Sequence, residues 1–338
     1  MSFKNICVVG CGYWGKNLVR TFSSLGALYG LYDADGAQTA ALAASYPGVK
    51  IFNDFDSVLT DENIAAVAIA APAELHCQLA IEALSADKHV FVEKPLALEW
   101  EQGSEMVSLA REKKRTLMVG HLLHYHPAII QLKKLIQDGV LGRIEYIYSN
   151  RLSMGKIRRE ENALWSFAPH DISVILSLVG QMPYQVLATG GAYLQPNIAD
   201  VTVSNLLFDR GTRAHIFVSW LHPYKEQRLV VIGSKQMAVF EDSRPDRKLM
   251  LFDKHIELKN GAYEAVKPEG IVVDFERSEP LMLECRHFMD CIEQRREPRT
   301  PGEEGVRVLQ VLQACQRSLQ LNGEPVQVVQ LHQRVMAL

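Results

Sequence analysis

The chain has 338 residues, with 36 Lys and Arg against 39 Asp and Glu, a formal charge of −3. Hydrophobic residues make up 48% and charged residues 22%, which excludes a disordered or fibrous chain. That length allows two or three domains with a core needing no disulfides or structural metal, and the near-neutral balance excludes a nucleic-acid polymer as partner, because a phosphate backbone demands concentrated Lys and Arg.

The first apolar run, Ile6–Val9, is too short for the core of a signal peptide. The longest, Ile64–Ala73, falls short of the ~20 residues of a membrane span. A soluble cytoplasmic protein is expected. The six cysteines form no CxxC pair and no zinc-like spacing with histidine, so they read as reduced packing thiols and no metal is expected.

In chain order, Ile6–Val9 reads as a strand buried on both faces, and Gly10-Cys11-Gly12-Tyr13-Trp14-Gly15 follows at once as a full GxGxxG. Leu18, Val19, Phe22 and Leu25 then recur at helical spacing. In such a strand–turn–helix, Gly10 permits the tight turn, Gly12 lets backbone N–H groups approach a pyrophosphate, and Gly15 lets the helix pack on the strand. Asp33 ends the second apolar run, Leu28–Tyr32, 18 residues after Gly15, where a carboxylate bonds the ribose hydroxyls of a dinucleotide. It would repel a 2′-phosphate, and the residues that follow, Ala34-Asp35-Gly36, supply no arginine, so NAD is preferred over NADP.

Further strands are expected at Ala66–Ala70, His89–Val92 and Leu117–Val119, with helices at Gln38–Ser45, Glu74–Ser85 and Glu99–Lys113. Strands and helices alternating at these lengths imply an α/β fold with a doubly wound parallel sheet. Ala71-Pro72 closes one strand at the edge a ligand would cross, and His76 lies on the following helix.

Phe91-Val92-Glu93-Lys94-Pro95-Leu96 ends a strand with an acid, a lysine and a proline. With the glycine fingerprint, with Ala71-Pro72 and His76, and with Gly120-His121 through Pro127, Gly139 to Ile144 and Glu279-Pro280-Leu281, the chain resembles the Gfo/Idh/MocA family of sugar and polyol oxidoreductases over roughly residues 3–320. The resemblance implies a Rossmann domain over 1–121 and a substrate-binding and oligomerisation domain over 122–338 with a large, mostly antiparallel open sheet. Short runs at Ile144–Ser149, Gln185–Thr189, Val201–Phe208, Arg213–Val218, Leu229–Ile232 and Ala238–Glu241 agree with it. It also implies a homodimer or homotetramer, and it puts Tyr13, Trp14, Ala71, Pro72, His76, Glu93, Lys94 and Trp165 at the NAD site beside the glycines and Asp33.

Oxidising a secondary alcohol needs a proton acceptor at the hydroxyl and a positive group beside the forming alkoxide. The family's pair matches Lys94 and His170, the latter opening an apolar stretch that runs to Gly180. Many family members carry an aspartate four residues before this histidine, where this chain has Ser166, so His170 is left to act alone. Asp171 is no obvious replacement, because neighbours on a helix point apart. The basic cluster Arg151, Lys156, Arg158 and Arg159 reads either as a solvated stretch or as contacts to an anionic substrate. The stretch Met154–Ile172 resembles the branch that oxidises nucleotide sugars at C3, acting on UDP-N-acetylglucosamine or its uronic acid upstream of an aminotransferase. That resemblance implies Lys94, Arg158, Asn162, Trp165, His170 and Asp171 as substrate contacts, with Trp165 or Tyr148 free to stack on uracil or sugar. A dehydrogenase of free sugars or polyols such as inositol, and a non-catalytic NAD or ligand sensor, remain as alternatives.

Overall fold

A computed structural model describes residues 5–155, 157–253, 256–265 and 269–328. Lys156, part of the basic cluster, lies outside the described residues. Backbone contacts divide the chain into two units, residues 1–125 with 278–309, and residues 126–277 with 310–338.

The first unit is built from β1 (Ile6–Val9), α1 (Gly15–Ser24), β2 (Leu28–Tyr32), α2 (Gly36–Ala43), β3 (Lys50–Phe52), α3 (Phe55–Thr60), β4 (Ala66–Ile69), α4 (His76–Ser85), β5 (His89–Glu93), α5 (Trp100–Lys113) and β6 (Leu117–Gly120). The strands form one parallel sheet in the order β3-β2-β1-β4-β5-β6, the doubly wound arrangement with its switch point between β1 and β4. β1, β4 and β6 are buried at every residue, which is why they read as unbroken apolar runs. Helix starts follow side-chain caps: Asp35 accepts from the Ala37 N–H at 3.1 Å and Asp54 from the Ser57 N–H at 2.7 Å. The edge strand β3 escapes the sequence reading because it has three residues, two of them exposed.

The second unit contains α6 (Pro127–Gln137), β7 (Ile144–Met154), α7 (Ala163–Val179), β8 (Gln185–Gly191), β9 (Val201–Leu207), β10 (Arg213–Ser219), β11 (Leu221–Gly233), β12 (Gln236–Glu241), β13 (Leu249–Asp253), β14 (Ile256–Lys259), β15 (Ala262–Ala265), β16 (Ile271–Val272) and a last strand β17 (Val326–Gln327). Nine strands pair in the order β16-β13-β12-β11-β7-β10-β9-β8-β17, while β14 and β15 form a separate hairpin. Only β7 and β10 pair in parallel; all the other neighbours are antiparallel. The runs expected from sequence fall within strands, save that β9 ends at Leu207, one residue before Phe208, while β7 and β11 extend to 11 and 13 residues. Their polar ends, Asn150–Met154 and Leu221–Arg228, hide the strand signal and are held by pairing to each other.

After β16 the chain enters α8 (Pro280–Gln294) and then α9 (Gly302–Gln320). The division into 1–121 and 122–338 is corrected here, because residues 278–309 belong to the first unit. The cause is the apolar stripe Leu281, Cys285, Phe288 and Met289, which joins Ile6, Val8, Phe22 and Phe91 in one core. Phe288 meets Phe91 edge-on with ring centres 5.7 Å apart. Among the described residues, no helix is long and apolar enough to cross a membrane.

Candidate functional site

Gly10, Gly12, Tyr13, Trp14, Gly15, Asp33, Ala71, Pro72, His76, Glu93 and Lys94 all gather at the carboxyl edge of the first unit's sheet, where β1, β2, β4 and β5 end. Two glycines are enforced by the backbone itself. Gly10 has φ +90°, and a Cβ there would lie 2.7 Å from the Ala70 carbonyl carbon. A Cβ on Gly15 would fall 1.9 Å from the Gly10 oxygen, so α1 can leave β1 this tightly only with glycine. Gly12 differs: a Cβ there would meet nothing nearer than Gln38 Oε1 at 3.7 Å. No protein neighbour requires that glycine, and the open space beside the first turn of α1 fits a pyrophosphate against backbone N–H groups. Tyr13 stands out into solvent at 77% exposure, with the Lys16 ammonium 5.2 Å from its ring centre.

Asp33 Oδ2 accepts from the Cys11 N–H at 2.6 Å and Oδ1 from the Asp35 N–H at 2.8 Å. The carboxylate thus locks the glycine loop to the end of β2, and each oxygen keeps a lone pair for a ribose hydroxyl. Loop and acid together fit the adenosine half of NAD.

The Lys94–Pro95 peptide is cis, and the residues around it are pinned from two sides. His76 is 1% exposed, with Nδ1 2.7 Å from the Pro95 oxygen and Nε2 2.9 Å from the Ala71 oxygen. Burial pulls its pKa below the ordinary value, and the two carbonyls oppose that pull only in part. The ring is a clamp between the Ala71-Pro72 turn and the turn carrying Lys94, not a group open to a ligand. From the other side, the Trp14 indole N–H donates to Glu93 Oε1, and the Lys94 N–H donates to Glu93 Oε2 at 3.3 Å. Burial raises the Glu93 carboxyl to about 7, against the pull of Trp14, Lys94 and His121.

Three groups around Glu93 were not foreseen. His121 Nδ1 lies 2.5 Å from Glu304 Oε2, both side chains being buried. Glu284 is fully buried, neither of its carboxyl oxygens has a hydrogen-bond partner among the described residues, and burial with the nearby Glu93 charge pushes its pKa well above the carboxylate range. Gly120 leaves room for this cluster, since a Cβ there would lie 2.9 Å from Glu93 Oε2. The signal for Glu284 was present: an acid three residues after Leu281 and four before Phe288 falls on the buried face of α8.

In the second unit, Asn162, Trp165, Ser166, His170 and Asp171 are organised by α7. Asn162 caps the helix, its side-chain oxygen accepting from the Trp165 N–H at 3.1 Å. Its amide donates to Gln316 Oε1 at 2.8 Å, and the Trp165 indole donates to the same oxygen at 3.1 Å. Gln316 on α9, unmarked in the sequence, therefore fixes both residues. Arg158 pairs with Glu161 at 3.0 Å. His170 is half-buried one helical turn after the buried Ser166. Asp171 is held by β7: the Arg151 Nε donates to Oδ2 at 2.8 Å, and the Arg151 Nη2 and the Ser149 hydroxyl donate to Oδ1 at 3.1 and 2.6 Å. At 4% exposure and with both oxygens engaged, Asp171 is anchored to β7. Arg151 is taken with it. Tyr148 is stacked on His215, ring centres 5.4 Å apart and planes 7° apart.

Comparison with known proteins bears on both units. The description "Oxidoreductase family, NAD-binding Rossmann fold" matches residues 4–121, and "GFO/IDH/MocA C-terminal domain" matches residues 129–239. UDP-N-acetylglucosamine 3-dehydrogenase of Acidithiobacillus ferrooxidans is 27% identical over 306 residues, 89% of this chain and 93% of that one. A solved structure of that enzyme superposes with a TM-score of 0.81 at 25% identity, covering 94% of this chain and 98% of that one. Inositol 2-dehydrogenase of Rhizobium meliloti is 26% identical over 325 residues, 92% and 96% of the two chains. An uncharacterized oxidoreductase of Streptococcus pneumoniae is 32% identical over 195 residues, 54% of this chain and about half, 52%, of that relative. A glycine loop, an acid at the end of β2 and a lysine-bearing strand end on a 3-2-1-4-5-6 sheet, continued by the matching second domain, make this chain an NAD-dependent oxidoreductase that belongs to the Gfo/Idh/MocA family.

Proposed function

We propose that the chain oxidises the C3 hydroxyl of UDP-N-acetylglucosamine, or of its uronic acid, to the 3-keto sugar, which an aminotransferase then consumes. The observation that carries this reading is the similarity to UDP-N-acetylglucosamine 3-dehydrogenase over almost the whole of both chains. NAD, when bound, accepts the two electrons of the oxidation. The residues of this chain handle the proton and the developing charge. His170 takes the hydroxyl proton, since imidazole exchanges protons near neutral pH. The Lys94 ammonium donates to the same oxygen and stabilises the alkoxide as it forms. Position 166 is serine and Asp171 is paired with Arg151, so neither of these two residues supplies a carboxylate to His170. Arg158 in the loop before α7, with Asn162 and Trp165 at its start, are the residues assigned to the nucleotide sugar. The same reading places the protein in the cytoplasm as a homodimer or homotetramer.

The inositol relative supports a second reading, oxidation of a free polyol. Thermal melting in the presence of NAD separates the two. UDP-N-acetylglucosamine or its uronic acid is expected to raise the melting temperature by several degrees and to raise absorbance at 340 nm. A response to myo-inositol, with none to either nucleotide sugar, overturns the assignment.

A further inference from the structure

At the amino edge of the first unit's sheet, opposite the edge that carries the glycine loop, lies a cleft of about 790 Å³. Its floor is the start of β5 and β6, at His89, Thr116 and Leu117, and its walls are the ends of α5 and α8 with the segment 297–303. Nothing in the proposed reaction uses it. Five cations line it, Arg111, Lys114, Arg115, Arg295 and Arg296, against two acids, Glu297 and Glu303.

Two helix carboxyl ends approach the cleft, and basic residues there complement the negative ends of the helix dipoles. That accounts for some positive charge but not for its placement. Arg111 is satisfied by Glu303 at 2.6 Å, whereas Arg296–Asp290 and Arg115–Asp87 stand at 3.8 and 3.9 Å. The Arg115 Nε is buried with no hydrogen-bond partner, and Lys114 and Arg295 make no ion pair among the described residues. Both of these last residues cap their helices in the left-handed region, with φ of 54° and 52°. Glycine is the ordinary residue at that position, and a side chain there is held at a conformational cost. Two such positions, on two helices ending at one cleft, both carry a cation. The His89 ring adds a donor: Nδ1 accepts from the Thr116 N–H at 2.9 Å, so Nε2 carries the proton, and burial beside Arg115 keeps the ring neutral with its pKa near 4. Val107, Leu117, Ile292 and Pro301 complete an apolar wall, and the volume lies in the range of small-molecule sites.

We propose that this cleft is a second anion site, separate from the dinucleotide loop, that takes a nucleoside phosphate: phosphate oxygens on Lys114, Arg115 and Arg295, the base against the apolar wall. Isothermal titration of the full chain with NAD at saturation, so that the glycine loop is filled, tests it. AMP is expected to bind with one further equivalent, to bind more tightly than inorganic pyrophosphate, and to weaken as salt is raised. The double substitution Lys114→Gly, Arg295→Gly suits the left-handed backbone, so it is expected to leave the melting temperature unchanged or higher while weakening AMP at least tenfold. Lys114→Gln with Arg295→Gln, which keeps side chains at both positions, is expected to weaken AMP in the same way. No AMP binding to the NAD-saturated chain, or unaltered affinity in these variants, overturns the site. Pyrophosphate binding as tightly as AMP overturns the assignment to a nucleoside.

Discussion

The carboxyl group of Glu93 sits in the interior of the first unit, one residue before Lys94, with the Trp14 indole and the Lys94 backbone as its donors. An unfolded glutamate releases its proton near 4.5, whereas this one holds it to about 7. Between those values the native state binds more protons than the unfolded state, so this group makes stability fall as pH rises through that window. Glu284, raised by burial and by the Glu93 charge, acts in the same direction, while Lys94 and His121 face Glu93 with the opposite effect. Glu93→Gln is expected to remove on the order of 2–3 kcal/mol of this pH dependence between pH 5 and 7, read by chemical denaturation across that range. Asp171 tests the opposite kind of buried charge. Its pairing with Arg151 is internal to the second unit, and Asp171→Ala strands the guanidinium, with an expected loss of about 3–5 kcal/mol in denaturant melts. Gly15→Ala forces a Cβ against the Gly10 oxygen, so NAD affinity, measured by titration, is expected to drop at least tenfold even where the fold survives. The nucleotide-sugar resemblance implies Asp171 as a substrate contact, but position along α7 says nothing of what a neighbouring strand offers, and Ser149 and Arg151 on β7 donate to both of its oxygens.

Elements differ in how openly they declare themselves. β1, β2, β4, β5 and β6 could be read from residue type alone, because strands covered by helices on both faces leave no polar alternation. The glycine loop was legible for a related reason: its residues answer to backbone geometry, which is local. Pairings between distant segments were not. Glu304 against His121, and Gln316 against Asn162 and Trp165, join residues more than 150 positions apart, and neither acceptor sits in a recognisable motif. The helix α8 shows the limit most clearly. Its apolar stripe announces a buried face, but nothing in the stripe names the sheet it covers. Phe288→Ala removes the ring that meets Phe91 and is expected to cost about 3–5 kcal/mol, lowering the melting transition of the first unit and weakening NAD binding with it. A variant that leaves both unchanged contradicts the placement of this helix in that core.

For the molecule as a whole, a charge of −3 conceals sharp local contrasts. Buried carboxyls lie near Glu93 at the carboxyl edge of the first sheet, and five cations against two acids line the cleft at its amino edge. The second unit adds a nine-stranded sheet and the helix bearing His170. Its match to the C-terminal family domain fixes the class of protein, and the chemistry is decided by which hydroxyl loses its hydrogen. The most direct measurement uses UDP-N-acetylglucosamine, or its uronic acid, carrying deuterium at C3, mixed with the chain and NAD and followed by mass spectrometry. The account predicts one deuterium in the reduced cofactor for each 3-keto sugar formed, and no reduction in the Lys94→Ala variant although NAD still binds. Reduced cofactor without deuterium, or no reduction with either nucleotide sugar, would contradict it.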